Sequence, residues 1–214
     1  MKSFLIVGMG SFGHHLCREL AKEKCEIMIV DRNSENLEDM LPYVVSAKVG
    51  DCTNPAVLKS FGVDEFDACF VCIGGDFQSS LEVTCSLKEL GAKKVFSKAE
   101  EDIQAKFLLR NGADEVIYPE KDVARRLAIS ESSDSIFDCI DLSDGYSVYE
   151  IEPNPKWVGN PMPMDFRKKY NLNILAVKRD GRIRPFSGPS YVFKKEEHLL
   201  VMGHIDDIRK VVAK

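Results

Sequence analysis

The residues best placed to do chemistry are the three glycines of Gly8-Met9-Gly10-Ser11-Phe12-Gly13, which follow the apolar run Phe4 to Val7 and open the helical pattern Phe12/Leu16/Leu20. In that position Gly8 permits a tight turn, Gly10 lets a pyrophosphate approach the backbone, and Gly13 lets helix and strand pack closely. The free N–H groups and the helix dipole then attract an anion. The acid that completes such a site is Asp31, which ends the second apolar run, Ile27 to Val30. Its carboxylate is placed to accept both ribose hydroxyls. Arg32 beside it suits a 2′-phosphate, but Asp31 repels one, so an unphosphorylated ribose is expected. A tight strand-to-helix turn without a ligand accounts for the same glycines, and Asp31 also reads as an acid at a helix N-terminus.

Later stretches reach the same edge. Gly50-Asp51-Cys52-Thr53 ends the third run, where Asp51 accepts from an adenine amino group or, with Thr53, caps the next helix. Ile73-Gly74-Gly75-Asp76 brings backbone amides there, and Lys98, ending the fifth run, either reaches a phosphate or is solvated. Catalytic groups are harder to find. His14 and His15 open the first helix, His198 and His204 have no acid–base partner pattern, and no H-E-x-x-H, G-x-S-x-G or P-loop occurs. A dehydrogenase needs a proton donor or acceptor beside its nicotinamide. An NAD(P)-dependent oxidoreductase is therefore the alternative, and a nucleotide-binding sensor without catalysis the preferred reading.

The elements that position these residues follow from recurring apolar runs: Phe4 to Val7, Ile27 to Val30, Val44 to Val49, Ala68 to Ile73, Lys94 to Ser97 and Glu115 to Tyr118. They read as six buried strands alternating with helices, with Gly62, Gly91 and Gly112 where C-caps are expected, and this implies right-handed crossovers and a doubly wound parallel sheet. Cys69-Phe70-Val71-Cys72 lies inside one run, so its thiols point to opposite faces and read as core rather than a redox pair. After a helix from Glu120 to Ile129, the polar stretch Ser130 to Ser135 reads as a linker. The domains are placed at 1–133 and 134–214. The second is a smaller α+β lobe with short alternating stretches, Ile136 to Leu142, Ser147 to Ile151, Asn173 to Val177 and Leu199 to Met202, closing in a helix from Asp206 to Val212.

The 214 residues carry 29 Lys+Arg against 34 Asp+Glu, a net −5, which argues against binding nucleic acid by overall charge. No apolar run approaches the roughly 20 residues of a transmembrane helix. The odd set of seven cysteines forms no disulfide framework, and a cytoplasmic location is expected.

Taken together, Gly8 to Gly13, Asp31, Gly50-Asp51, Ile73-Gly74, Ser97-Lys98-Ala99, Gly112-Ala113-Asp114, Pro119-Glu120-Lys121-Asp122 and Ile140-Asp141-Leu142-Ser143 resemble the KtrA/TrkA family. These are cytosolic RCK (regulator of K⁺ conductance) gating subunits of bacterial Ktr and Trk potassium-uptake systems. The resemblance implies a Rossmann-like RCK_N domain and an RCK_C lobe. It implies an adenine nucleotide, ATP, ADP, AMP or NAD(H), held by Gly8, Gly10, Ser11, Phe12, Gly13, Asp31, Arg32, Asp51, Cys52, Gly74 and Lys98. It also implies a divalent cation, Mg²⁺ or Ca²⁺, held by Glu120 at a dimer interface, and cyclic di-AMP beside Arg167 and Pro185 of the second lobe. The implied assembly is a dimer that builds an octameric ring under a membrane K⁺ channel subunit of the KtrB/TrkH type. Glu120 also reads as a first-turn helix acid, and the second lobe as a dimerisation module alone. One position departs from the family: Ser11 stands where an Arg reaches the γ-phosphate. A hydroxyl does not replace a bidentate guanidinium, so a weakened preference for ATP over ADP is expected.

Overall fold

The computed structural model describes residues 1–142, 144–161 and 166–212; Ser143 lies outside them. The chain divides into two units, Met1–Lys121 and Asp122–Lys214.

In the first unit, strands β1 (Ser3–Val7), β2 (Glu26–Asp31), β3 (Ser46–Val49), β4 (Ala68–Val71), β5 (Val95–Lys98) and β6 (Glu115–Ile117) form one sheet. Every pair is parallel, in the order β3-β2-β1-β4-β5-β6. β4 and the middles of β1 and β2 are apolar residue after residue because both faces of the sheet are covered there, whereas β3 and β6 at the sheet's edges are partly exposed. Leu5, Val7, Met28, Val30, Cys69 and Val71 pack on one face with Leu58, Val83 and Leu87. The intervening residues Phe4, Ile6, Ile27, Ile29, Phe70 and Cys72 pack on the other with Met9, Cys17 and Met40. The C-x-x-C pair is thereby split between two cores. Burial pushes both the Cys69 and the Cys72 thiols up to about 12, which leaves almost no thiolate at neutral pH.

Helices α1 (Ser11–Lys22), α2 (Pro55–Lys59), α3 (Phe77–Glu89) and α4 (Asp102–Arg110) make the crossovers, and α5 (Pro119–Glu131) follows β6. Asn54, rather than Asp51 or Thr53, caps α2, its side chain accepting from the Ala56 amide at 3.0 Å. Gly91 and Gly112 follow the last residues of α3 and α4 by one step beyond the cap, with φ of 88° and 116°. α5 runs to Glu131, so the stretch read as a linker begins inside the helix.

Asp114 ties three elements together. Its carboxylate accepts from the Lys88 ammonium at 2.9 and 2.7 Å, and from the Val95 amide at 2.7 Å. Burial raises the carboxyl, but Lys88 and the Val95 N–H outweigh it and hold it below the usual carboxylate range. A depressed folded-state value means stabilisation that is present above the unfolded value of about 3.9 and lost as pH falls through the folded one. Asp114→Asn is expected to lower the thermal midpoint near neutrality and to flatten its fall in acid. Calorimetric scans of both proteins from about pH 7 to pH 2 check this; parallel curves would remove Asp114 from the account.

The second unit holds β7 (Ile136–Asp141), β8 (Tyr146–Ile151), β9 (Asn173–Arg179), β10 (Arg182–Pro185) and β11 (His198–His204), with α6 (Phe166–Tyr170) and α7 (Ile205–Val212). The sheet is antiparallel, in the order β10-β9-β11-β8-β7. Tyr149, Ile151, Val177, Leu199 and Val201 pack on Trp157, Phe166, Phe193, Ile208 and Val211. β10 is an additional strand that the apolar pattern does not announce. It is an exposed edge with a single aliphatic residue, Ile183, between two arginines, closed onto β9 by Asp180 and Gly181 at φ of 50° and 72°. That two-residue loop is the mirror-image turn suited to hairpins, and its charged edge discourages further pairing.

Candidate functional site

The strand order reverses at β1, which lies between β2 and β4, and ligands of open α/β sheets bind at the carboxyl edge beside such a reversal. The β1–α1 turn lies there. Gly8 has φ of 91° and donates its N–H to the Val30 carbonyl at 2.9 Å; a Cβ on it would stand 3.0 Å from the Ile73 nitrogen. Gly13 faces back on the turn so closely that a Cβ would lie 2.3 Å from the Gly8 carbonyl oxygen. Gly10, the N-cap of α1, has nothing within 4 Å of where its Cβ would be. Two glycines are thus required by packing, and the third leaves an opening over the helix N-terminus.

That opening belongs to a cleft of about 220 Å³ whose lining includes Gly8, Gly10, Asp31, Arg32, Asp51, Cys52 and Gly74. Asp31 accepts from the Met9 amide at 2.6 Å with one oxygen, and from the Asn33 amide and the Asn36 side chain at 2.8 and 3.1 Å with the other. It thereby fixes the end of β2 against the glycine turn. Three bonds leave a carboxylate about one more acceptor site, so a ribose must displace one of them or share an oxygen. Asp51 closes an Asx turn, accepting from the Thr53 amide at 3.0 Å and hydroxyl at 2.8 Å, and these bonds hold its carboxyl below the usual range. Arg32 reaches toward Asp76 at 3.8 Å across the cleft mouth. The Cys52 thiol, pushed up to about 12 by burial and by the neighbouring Asp51 and Asp31, is an uncharged wall.

The remaining residues of the expected set stand elsewhere. Ser11 is the exposed first residue of α1, Phe12 packs against the core around Cys17 and Met40, and Gly13 serves the helix–strand contact. Lys98 lines a smaller chamber beyond Ile73, where its Nζ donates to Glu120 Oε1 at 2.6 Å and lies 4.0 Å from Glu100 Oε1. The Lys98 hydrogen bond holds the Glu120 carboxyl below its ordinary value. A divalent cation fits this chain's own residues poorly, because an ammonium already occupies Glu120 and no group of three His, Cys, Asp or Glu converges among the described residues.

Sequence reasoning missed Asn36 and Ser79, which also line the cleft. Asn36 belongs to the short 3-10 turn Ser34–Asn36, and Ser79 to the cap of α3, where its N–H and hydroxyl donate to Asp76 at 3.1 and 2.6 Å. The capping signal of an Asp three residues ahead of Ser79 was present in the sequence; Asn36 had none.

In the second unit Pro185 lines a basic cleft of about 770 Å³ with Arg179, Arg182, Arg184 and Lys194, whereas Arg167, on α6, is not among its lining residues. No histidine is among the residues that line the first cleft, although His14 Nε2 stands 2.8 Å from the carbonyl oxygen of the lining residue Asn36; His198 Nδ1, in the second unit, is 2.7 Å from Glu150.

The chain matches the model of the TrkA-N domain over residues 4–119 and that of the TrkA-C domain over 147–214. It is 35% identical over 210 residues to Ktr system potassium uptake protein C of Bacillus subtilis, covering 98% of this chain and 95% of that protein. Ktr system potassium uptake protein A of the same organism is 34% identical over 210 residues, with 98% and 95% covered. Among solved structures, a GsuK channel bound to NAD superimposes with a TM-score of 0.71 at 15% identity, over 100% of this chain and 40% of that one.

Proposed function

Because the chain belongs to the KtrA/TrkA family of RCK-domain proteins, we propose that it is the nucleotide-sensing regulatory subunit of a Ktr/Trk-type potassium-uptake system. The observation that carries the nucleotide part is the open Gly10 position over the N-terminus of α1, at the reversal of strand order. A diphosphate placed there meets unpaired amides and the positive end of a helix dipole. The ribose lies against Asp31, and the adenine extends toward Asp51. The regulatory reading, rather than an oxidoreductase, is supported by the relatives, which are Ktr system potassium uptake proteins.

Among the described residues no helix is long and apolar enough to cross a membrane. On the strength of the Ktr relatives, the ion pathway falls, in this reading, to a membrane channel partner, which this subunit meets at the cytoplasmic face as a homo-oligomer, a dimer building an octameric ring. Modest discrimination then suffices. Moving a two-state ring from 1:99 to 99:1 takes about 5.5 kcal/mol, and eight sites would each supply about 0.7, roughly threefold in affinity.

Thermal-shift titration of the full chain with ADP, ATP, AMP, NAD⁺ and NADH, and with GTP as control, tests the binding. A ligand at a hundredfold excess over its Kd adds about 2.7 kcal/mol, which raises the midpoint of a chain this size by about 5–10 °C. A flat response to all five adenine ligands would remove the nucleotide reading.

A further inference from the structure

The hairpin of β9 and β10 gathers positive charge in a way its fold does not require. Arg182 is paired directly opposite Arg179, and Arg184, two residues further along β10, lies on the same face of the ribbon. Like charges directly opposite one another destabilise a strand pair. Edge protection needs charge on β10 alone, so it does not account for Arg179, on β9, facing Arg182. Nor are these cations neutralised locally. Arg125, Arg126, Lys178 and Lys210 of the same unit each have a carboxylate oxygen within 3.0 Å. Among the described residues no ion pair ties Arg182, Arg184 or Lys194, and Arg179 meets only the exposed Asp180 of the turn, at 3.7 Å.

All four cations line the cleft of about 770 Å³ in this unit. Its two carboxylates are Asp180 and Glu197, so the lining carries two net positive charges. Glu197 is buried and already committed, accepting from the Tyr191 hydroxyl at 2.7 Å with one oxygen and from the Lys194 amide at 2.9 Å with the other. What remains is a set of guanidinium forks, each able to meet a phosphate through two parallel hydrogen bonds. Their anchors set the spacing: opposite residues stand about 5 Å apart at Cα, and residues two apart on a strand about 7 Å. A single small anion cannot engage all of them, whereas two neighbouring phosphates supply both the charge and the acceptor oxygens.

We propose that this cleft binds a compact soluble polyanion carrying two or more neighbouring phosphate groups, at a site separate from the glycine-turn cleft of the first unit. Arg182 and Arg184 hold the phosphates from the rigid hairpin edge, and Arg179 and Lys194 complete the positive wall. The second unit thereby has an effector of its own, and the repulsion between Arg179 and Arg182 is relieved when that effector is bound.

Calorimetric titration of the full chain with inorganic tripolyphosphate tests this, with ADP present throughout so that the glycine turn does not contribute. The native chain should bind one tripolyphosphate per subunit. Arg182→Gln and Arg184→Gln should each weaken it at least about tenfold, the worth of a charged hydrogen bond, whereas Lys59→Gln, an exposed cation of the first unit, should leave it unchanged. The ligand-free thermal midpoint of Arg182→Gln should equal or exceed that of the native chain, because a like-charge pair is removed; a merely structural arginine would lower it. Absence of saturable binding, or equal losses in Lys59→Gln and the arginine variants, would overturn the proposal. So would displacement of tripolyphosphate by cyclic di-AMP, whose expected contact Arg167 is outside this lining.

Discussion

Gly13→Ala is expected to lower the thermal midpoint by about 4–12 °C, taking about 2–3 kcal/mol for overpacking and about 2–4 °C per kcal/mol for a chain of this length. The new Cβ would sit 2.3 Å from the Gly8 carbonyl oxygen, a backbone atom that no rotamer change can move. Gly8 is itself held by its bond to Val30 and by φ of 91°, so the start of α1 must lift away from β1. That motion pulls at Cys17 of the same helix, fully buried against Ile6, Ile29 and Met40. Circular dichroism melts of Gly13→Ala beside Gly10→Ala check the prediction, since the second variant adds the same methyl where nothing lies within 4 Å. Equal melts would show that the turn is looser than its geometry states.

Gly10→Asp should do the opposite: keep the fold and abolish nucleotide binding. The position is extended, with φ of −73° and ψ of −172°, and open to solvent, so an aspartate fits without strain. As an N-cap it would even favour α1. Its carboxylate, however, takes the place of the diphosphate. Two unit charges about 4 Å apart at the effective dielectric of a protein surface repel by about 4 kcal/mol, on the order of a thousandfold in affinity. Titration with ADP reads this directly, and retained binding would move the phosphates off the glycine turn.

The contrast between these two glycines shows what sequence could and could not tell. The motif, the six strand runs and Asp31 were legible because each is a local signal: glycine spacing, buried apolar stretches, an acid ending a strand. The motif does not say which glycine is needed for packing and which for access; that depends on Ile73 and the Gly8 carbonyl, brought up by chain folding. Asp51 and Thr53 read equally well as a helix cap, yet Asn54 takes that role because Asp51 turns inward on Thr53 two residues later. β10 escaped notice because an edge strand buries nothing, and only the Asp180-Gly181 turn marked it.

The most direct test of the account couples the cleft to ion flow. The full chain would be reconstituted in vesicles with a Ktr-type membrane subunit, and rubidium uptake followed while ADP or NAD⁺ is added to the face carrying this subunit. The account predicts that nucleotide changes the uptake rate with the native chain and leaves it unchanged with Gly10→Asp. Uptake that depends on the chain but is indifferent to every adenine nucleotide would contradict it.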